Sequence, residues 1–115
     1  MRDDSLRLKD MLNCIANIES FTTNKAREDL DKDPLLSGAL LHQFSILGEA
    51  AYTISRKLKS RHPEVEWRTL SAMRHWIIHE YFEVNLNTVW ETSQTDVLRY
   101  KQSIERILRD DYPLD

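Results

Sequence analysis

The fold is decided by the stretch DPLLSGALLHQFSILGEAAYTISRKL, residues 33–58. Asp33 followed by Pro34 is a strong helix-start signal, because aspartate caps helix N-termini and proline suits the first helical position. Apolar residues then recur every three or four positions, which is the spacing of one helix face: Leu36, Leu40, Phe44, Leu47, Ala51, Ile54 and Leu58. The pattern predicts one long helix, about 34–60, which ends before Pro63 because the residue preceding a proline avoids the α conformation.

The rest of the chain shows the same helical spacing. The pattern predicts a first helix at 4–22, a short piece at 25–30, a third helix at 66–83, and a last stretch capped by Asn87, kinked at 92–95 and frayed at 110–115. Two glycines and three prolines are too few for the many turns of an all-β fold. The predicted fold class is therefore all-α: a single domain, residues 1–115, built as an antiparallel bundle of four main helices.

Composition narrows the class of protein. Hydrophobic residues make up 41% and charged residues 30% of the 115 residues, a mixture typical of a folded globular domain. Cys14 is the only cysteine, which excludes an intramolecular disulfide and a cysteine-based zinc site and fits a reducing cytosol. No apolar segment is long enough to span a bilayer or form a signal-peptide core. We therefore expect a cytoplasmic protein with no membrane partner.

The charge distribution leaves two interpretations of one segment. The net charge is −3, which argues against an extended footprint on nucleic acid and against a specific DNA site. Residues 34–55 carry Glu49 as their only charge, whereas residues 56–79 carry six basic side chains against two acidic ones. The basic segment is either a solvated helix end, where cations suit the dipole, or a local phosphate-binding surface. Charge alone favours the first.

Four polar residues stand close together on the third predicted helix: Arg74, His75, His79 and Tyr81. At about 100° per residue, Arg74 and Tyr81 share a face, whereas His79 lies roughly 140° around from Arg74. One isolated helix therefore does not make Arg74 and His79 neighbours, but a second copy of the helix from a symmetric partner could. For an anonymous group of Arg, His and Tyr on one helix, the common explanation is a structural polar stripe with a satisfied core histidine.

Two chemical interpretations compete with the structural one. The first is metal binding, because His75 and His79 are four residues apart, a spacing that suits zinc. The chain contains neither Glu-x-x-His nor His-Glu-x-x-His, however, which are the patterns of di-iron bundles and zinc proteases. The second is metal-free RNA cleavage. Imidazole can move protons near neutral pH, guanidinium can hold a phosphate, and RNA supplies its own 2′-hydroxyl nucleophile.

Glu49, in an otherwise apolar stretch, would pair with a basic group such as Arg74 or serve a purely structural role.

The motif and its context resemble the HepT-like branch of the HEPN superfamily. That branch carries Arg-x4-His-x-Tyr, which here is Arg74, His79 and Tyr81. The similar context comprises residues 8–12 (LKDML), 46–51 (ILGEAA), 62–67 (HPEVEW) and 89–90 (VW), so the resemblance covers nearly the whole chain. His75 departs from the pattern, since many relatives carry Asn or Asp there, and its role as a supporting polar group is less certain for that reason.

The resemblance implies a specific function. Family members are HEPN-like homodimers and the toxin half of type VII-like toxin–antitoxin modules, acting as endoribonucleases without metal or cofactor. Arg74 would stabilise the phosphate and His79 would be the acid–base group, with His75 and Glu49 in support. Tyr81 would be AMPylated, and the toxin thereby silenced, by an MntA-like minimal nucleotidyltransferase antitoxin.

Two other functions stay open at the level of sequence. The chain could be a non-catalytic HEPN module that only holds a nucleotidyltransferase or a nucleotide. It could also be a plain helical-bundle interaction protein in which the motif is structural. A small nucleotidyltransferase reading frame beside this one would favour the toxin–antitoxin pair.

Overall fold

The computed structural model describes residues 3–79 and 85–113, and the side chains of residues 76–79 lie outside that description. The described residues form seven α-helices and a π-helical turn, and no strand: α1 (Asp4–Thr22), α2 (Asp29–Lys32), α3 (Pro34–Thr53), α4 (Arg56–Arg61), α5 (Trp67–His79), α6 (Leu86–Glu91), the π-helical turn (Thr92–Asp96) and α7 (Val97–Asp111). The predicted all-α class is confirmed, and α1, α3, α5 and α7 are the four main helices.

Contacts at their ends show that neighbouring helices run antiparallel. Asp4, at the start of α1, accepts a hydrogen bond of 2.9 Å from the N–H of Ser55, just beyond the end of α3. Further along the pair, Asn17 in the second half of α1 donates to Gln43 in the middle of α3. Lys101, near the start of α7, lies 3.3 Å from Glu19 near the end of α1. Helix α3 packs against both α1 and α5, and its central position explains its near absence of charge.

The predicted long helix at 34–60 is wrong in one respect, because two helices occupy this stretch. The Asp33 cap and Pro34 are in place, and the Asp33 side chain accepts from the N–H groups of Leu35 and Leu36. The helix stops at Thr53, Ile54 is extended, and Ser55 caps α4 by accepting from the Leu58 N–H. Apolar spacing cannot reveal this break, because Ala51 before it, Ile54 in it and Leu58 after it are all buried.

Two further boundaries differ from the sequence predictions. The short piece expected at 25–30 is α2, which starts at Asp29, because the Asp29 carboxylate holds the Ala26 N–H in a turn at 2.7 Å. The last stretch is capped by Asn85 and not by Asn87: Asn85 accepts from the Asn87 N–H at 2.9 Å, while the Asn87 side chain accepts from Arg27. The irregularity expected at 92–95 is the π-helical turn.

Fraying was expected at 110–115, but residues 110 and 111 are helical, and residues 114–115 lie outside the described part of the chain. Helix α7 continues to Asp111, whose carboxylate lies 2.8 Å from His62 Nε2 and 2.9 Å from Arg61 Nη2. The hydrogen bond from His62, ahead of the neighbouring charges, holds the pKa of Asp111 below its usual range. The His62 side chain is partly buried, and its backbone carbonyl also accepts from the Trp67 indole at 2.9 Å. Residues 62–67 (HPEVEW) therefore link the start of α5 to the end of α7 through these hydrogen bonds.

Candidate active site around Arg74

The site begins with a close approach of α5 to α3. Gly48 is buried in α3, and a Cβ built on it would lie 2.5 Å from the backbone nitrogen of Arg74 and 3.0 Å from the Leu70 carbonyl oxygen. The 2.5 Å distance is too short for a Cβ atom and the 3.0 Å distance is tight, so glycine allows the two backbones to come this close. Gly48 therefore sets the distance at which α5 presents Arg74 to α3.

Two side chains of α3 hold Arg74. Its Nη1 donates to Glu49 Oε2 at 3.2 Å, and its guanidinium carbon lies 3.6 Å from the centre of the Tyr52 ring. A cation stacked this close to an aromatic face is attracted by the ring quadrupole. Stacking engages the face of the guanidinium, and Glu49 takes one of its five donors. The arrangement can therefore orient Arg74 and still offer N–H groups to a phosphate.

The pairing of Glu49 with Arg74 is observed, although its setting differs from the expected one. The Glu49 side chain is 56% exposed and that of Arg74 is 33% exposed, so the carboxylate is not buried in an apolar stretch. An ion pair this open to solvent contributes only about 0–1 kcal/mol to stability. Its consequence is the orientation of the guanidinium and not the stability of the fold.

Tyr52 is the site residue that the sequence reasoning missed. It is 54% exposed and follows Glu49 by three residues, so the two side chains lie on one face of α3. An exposed aromatic residue one turn from the expected partner of Arg74 was the available signal. Only the position of α5 shows that the ring meets the guanidinium.

The structure does not test the roles of the three other predicted site residues. His75 is an exposed residue of α5, next to Arg74 in the chain. His79 is the last residue of α5, and its side chain lies outside the described part of the structure, as does the whole of Tyr81. The structure thus brings Arg74 and Glu49 together, and the roles of His75, His79 and Tyr81 stay predictions.

The basic segment runs on from this site. Lys59, in α4, donates to the Tyr52 carbonyl oxygen at 3.2 Å, and burial there lowers the pKa of its ammonium. Arg56 and Lys57 are exposed on the same helix, whereas Arg61 is paired with Asp111. One cationic side chain of α4, Lys59, therefore reaches the backbone of Tyr52.

The described residues offer no evident metal or thiolate chemistry. Within residues 3–79 and 85–113, omitting the undescribed side chains, no group of three His, Cys, Asp or Glu residues could hold a metal ion. Cys14 is buried, and burial raises the pKa of its thiol to about 11. The thiol is therefore protonated near neutral pH and unsuited to act as a nucleophile. None of the described helices is both long and apolar enough to cross a membrane.

Comparison with known proteins identifies the family. The profile of the family described as "Ribonuclease HepT-like" matches residues 11–107. The chain belongs to this HepT-like family. The matched region contains the whole of α3 and α5, and with them Gly48, Glu49, Tyr52 and Arg74. The resemblance to the HepT-like branch of the HEPN superfamily is thereby confirmed.

Relatives of the HepT-like chain span nearly its full length. The protein named "Putative RNase MJ1216" of Methanocaldococcus jannaschii is 30% identical over 95% of this chain and 90% of its own. The protein named "Probable ribonuclease HepT" of Thermococcus cleftensis is 34% identical over 87% of this chain and 91% of its own. No solved structure gives a significant match.

Proposed function

We propose that the protein is a metal-independent endoribonuclease and the toxin of a type VII-like toxin–antitoxin module. The observation that carries this proposal is the oriented guanidinium of Arg74, on the helix that bears His79 five residues later in a HepT-like chain. Stacked on Tyr52 and paired with Glu49, Arg74 is suited to receive a phosphate. Lys59 of α4, which donates to the carbonyl oxygen of Tyr52, adds positive charge near this ring-bearing residue and supports a polyanionic substrate.

The reaction requires little more than Arg74 and His79. His79 removes the proton from the 2′-hydroxyl, whose oxygen attacks the adjacent phosphorus. Arg74 stabilises the extra negative charge that develops on the phosphorane oxygens. The bond from phosphorus to the 5′-oxygen then breaks, and the leaving oxygen takes up a proton from an imidazolium. The products are a 2′,3′-cyclic phosphate and a 5′-hydroxyl, with no net change in protons.

The first test concerns His79 and the metal. We expect cleavage of single-stranded RNA to persist in EDTA and His79→Ala to lower its rate about 100- to 10,000-fold, the usual contribution of an acid–base group. Product ends are identified by mass spectrometry, and His42→Ala, which changes an exposed histidine of α3, is the matched control. Loss of cleavage in EDTA with recovery on adding a divalent ion would contradict the mechanism. Partner binding without any cleavage would favour the non-catalytic HEPN module.

We further propose that the active form is a homodimer with the Arg74 region at or near the interface. The reason is the angle of roughly 140° between Arg74 and His79 around α5, which a second copy of the helix would compensate. Sedimentation equilibrium at micromolar concentration is expected to give twice the mass of the 13.6 kDa chain. A monomer throughout that range would rule out this arrangement.

The proposed regulator is an MntA-like nucleotidyltransferase that transfers AMP to Tyr81. An adenylyl group adds phosphate charge, and Tyr81 is seven residues from Arg74 on the same predicted face, so the adduct would compete with RNA for the guanidinium. We expect Tyr81→Phe to keep at least part of the toxicity and to escape neutralisation. Intact-mass and peptide mass spectrometry after co-expression would locate AMP on the Tyr81 peptide of the parent chain. Neutralisation of Tyr81→Phe, with AMP on another residue, would refute the assignment.

A further inference from the structure

A groove between α1 and α3 leads to the candidate active site. It encloses about 540 Å³, within the range of roughly 300–1,000 Å³ that is typical of small-ligand sites. Helix α1 lines one side with Arg7, Asn13 and Asn17, and helix α3 lines the other with Gln43 and Ile46. Arg74 and Glu49 also line the groove, so its contents would lie beside a phosphate held by Arg74.

The surfaces of the groove suit a flat heterocycle. Cys14 and Ala50 are buried residues in its wall, and the Cys14 thiol is uncharged near neutral pH because burial raises its pKa to about 11. Three amide side chains, Asn13, Asn17 and Gln43, supply hydrogen-bonding groups along the same groove. An apolar wall with a few convergent polar groups is typical of sites for partly polar organic ligands.

One contact across the groove orders two of the amides. Asn17 Nδ2 donates to Gln43 Oε1 at 3.2 Å. In that arrangement Asn17 keeps its carbonyl acceptor and Gln43 keeps its amino donors, so the pair can offer a donor and an acceptor together. A donor beside an acceptor is what the edge of a nucleobase requires for two hydrogen bonds.

The charges of the groove argue against a ligand that is itself highly charged. Arg7 and Arg74 stand against Asp10 and Glu49 among the lining residues, so the formal charges balance. A triphosphate or an acidic peptide would meet carboxylates there. A neutral base brings no charge of its own into the groove, and its single phosphate would lie at Arg74.

We propose that this groove holds one unpaired nucleobase of the RNA strand, next to the phosphate bound by Arg74, and that its amides give cleavage a base preference. The proposal rests on the proposed ribonuclease function and adds a substrate-selecting subsite to it. Recognition of splayed, single-stranded bases is the usual way in which proteins read RNA sequence.

The first experiment measures base preference at the cleavage site. A pool of single-stranded RNAs is cleaved and the ends are sequenced for the parent protein, Gln43→Leu and Gln102→Leu. Gln102 is an exposed amide of α7 and serves as the matched control. We expect a preference at one position beside the cut, reduced about tenfold by Gln43→Leu, with KM raised, kcat little changed and Gln102→Leu unaffected. Absence of a preference in the parent, or an unchanged preference in Gln43→Leu, would overturn the subsite.

The second experiment does not depend on cleavage. An RNA with 2′-O-methyl groups lacks the nucleophile, and 4-thiouridine in it allows photocrosslinking. Crosslinks within residues 7–17 or 43–50 are expected, and Asn13→Trp, which changes an exposed residue and fills the groove, should abolish them. If the parent protein cleaves RNA but the crosslinks lie only in other segments, the groove proposal is contradicted and the proposed ribonuclease function is not. Groove crosslinks without any cleavage would contradict the ribonuclease function and the base preference of cleavage, and would leave only RNA binding in the groove.

Discussion

Arg74→Ala is expected to lower the rate of RNA cleavage by a factor of about 100 to 1,000, the usual cost of removing one preorganised group that stabilises transition-state charge. Glu49 and the Tyr52 ring hold the guanidinium in place, and no other described side chain of α5 has this arrangement. The fold should survive, because the ion pair is exposed and contributes only about 0–1 kcal/mol. The rate is measured on a labelled single-stranded RNA, and the fold is followed by thermal unfolding.

Two further variants test whether the loss of activity is specific to the guanidinium of Arg74. Arg68→Ala removes an exposed arginine from the same helix and should leave the rate within about twofold of the parent, because an isolated exposed charge acts only through a screened field. Arg74→Lys keeps the charge but loses the planar fork and should restore only part of the rate. Equal rates for Arg74→Ala and Arg68→Ala would remove Arg74 from the mechanism.

Gly48→Ala is expected to destabilise the fold by about 3 kcal/mol, within the range for overpacking a tightly packed contact. The new methyl group would lie 2.5 Å from the Arg74 backbone nitrogen, and a backbone atom within a packed helix cannot move aside as a flexible side chain can. The two helices must separate, which also withdraws Arg74 from Glu49 and Tyr52. A fall in Tm of about 10 °C or more and a loss of cleavage should appear together.

Gly38→Ala is the matched control, since both glycines lie inside α3. A Cβ at Gly38 meets no atom within 4 Å. Alanine should therefore stabilise the helix there by about 0.5–1 kcal/mol, because glycine loses more backbone entropy on folding. In urea unfolding, Gly48→Ala should lower the free energy of unfolding and Gly38→Ala should raise it, if the packing of α3 against α5 requires glycine at position 48. Similar stability of Gly48→Ala and Gly38→Ala would contradict the close approach of α3 and α5.

The amino-acid sequence by itself determined the helical class and the positions of the main helices. The spacing of apolar residues placed α1 at its observed bounds, and Asp33 with Pro34 placed the start of α3, because periodicity and capping depend on residues within about one turn. The same local information put Arg74 and His79 on one helix, and the motif with its context indicated the HepT-like family. The angular separation of Arg74 and His79 is likewise a property of the helix alone.

Only the tertiary structure decided the contacts between helices. The break at Ile54 depends on Ser55, whose N–H is held by Asp4 from α1, and the last turn of α7 depends on His62. The stack of Arg74 on Tyr52 requires α5 to lie within reach of α3, a distance set by the missing side chain of Gly48. Residues that meet across a packed interface share no sequence spacing, so their partnership follows from how closely two backbones approach and not from any local pattern.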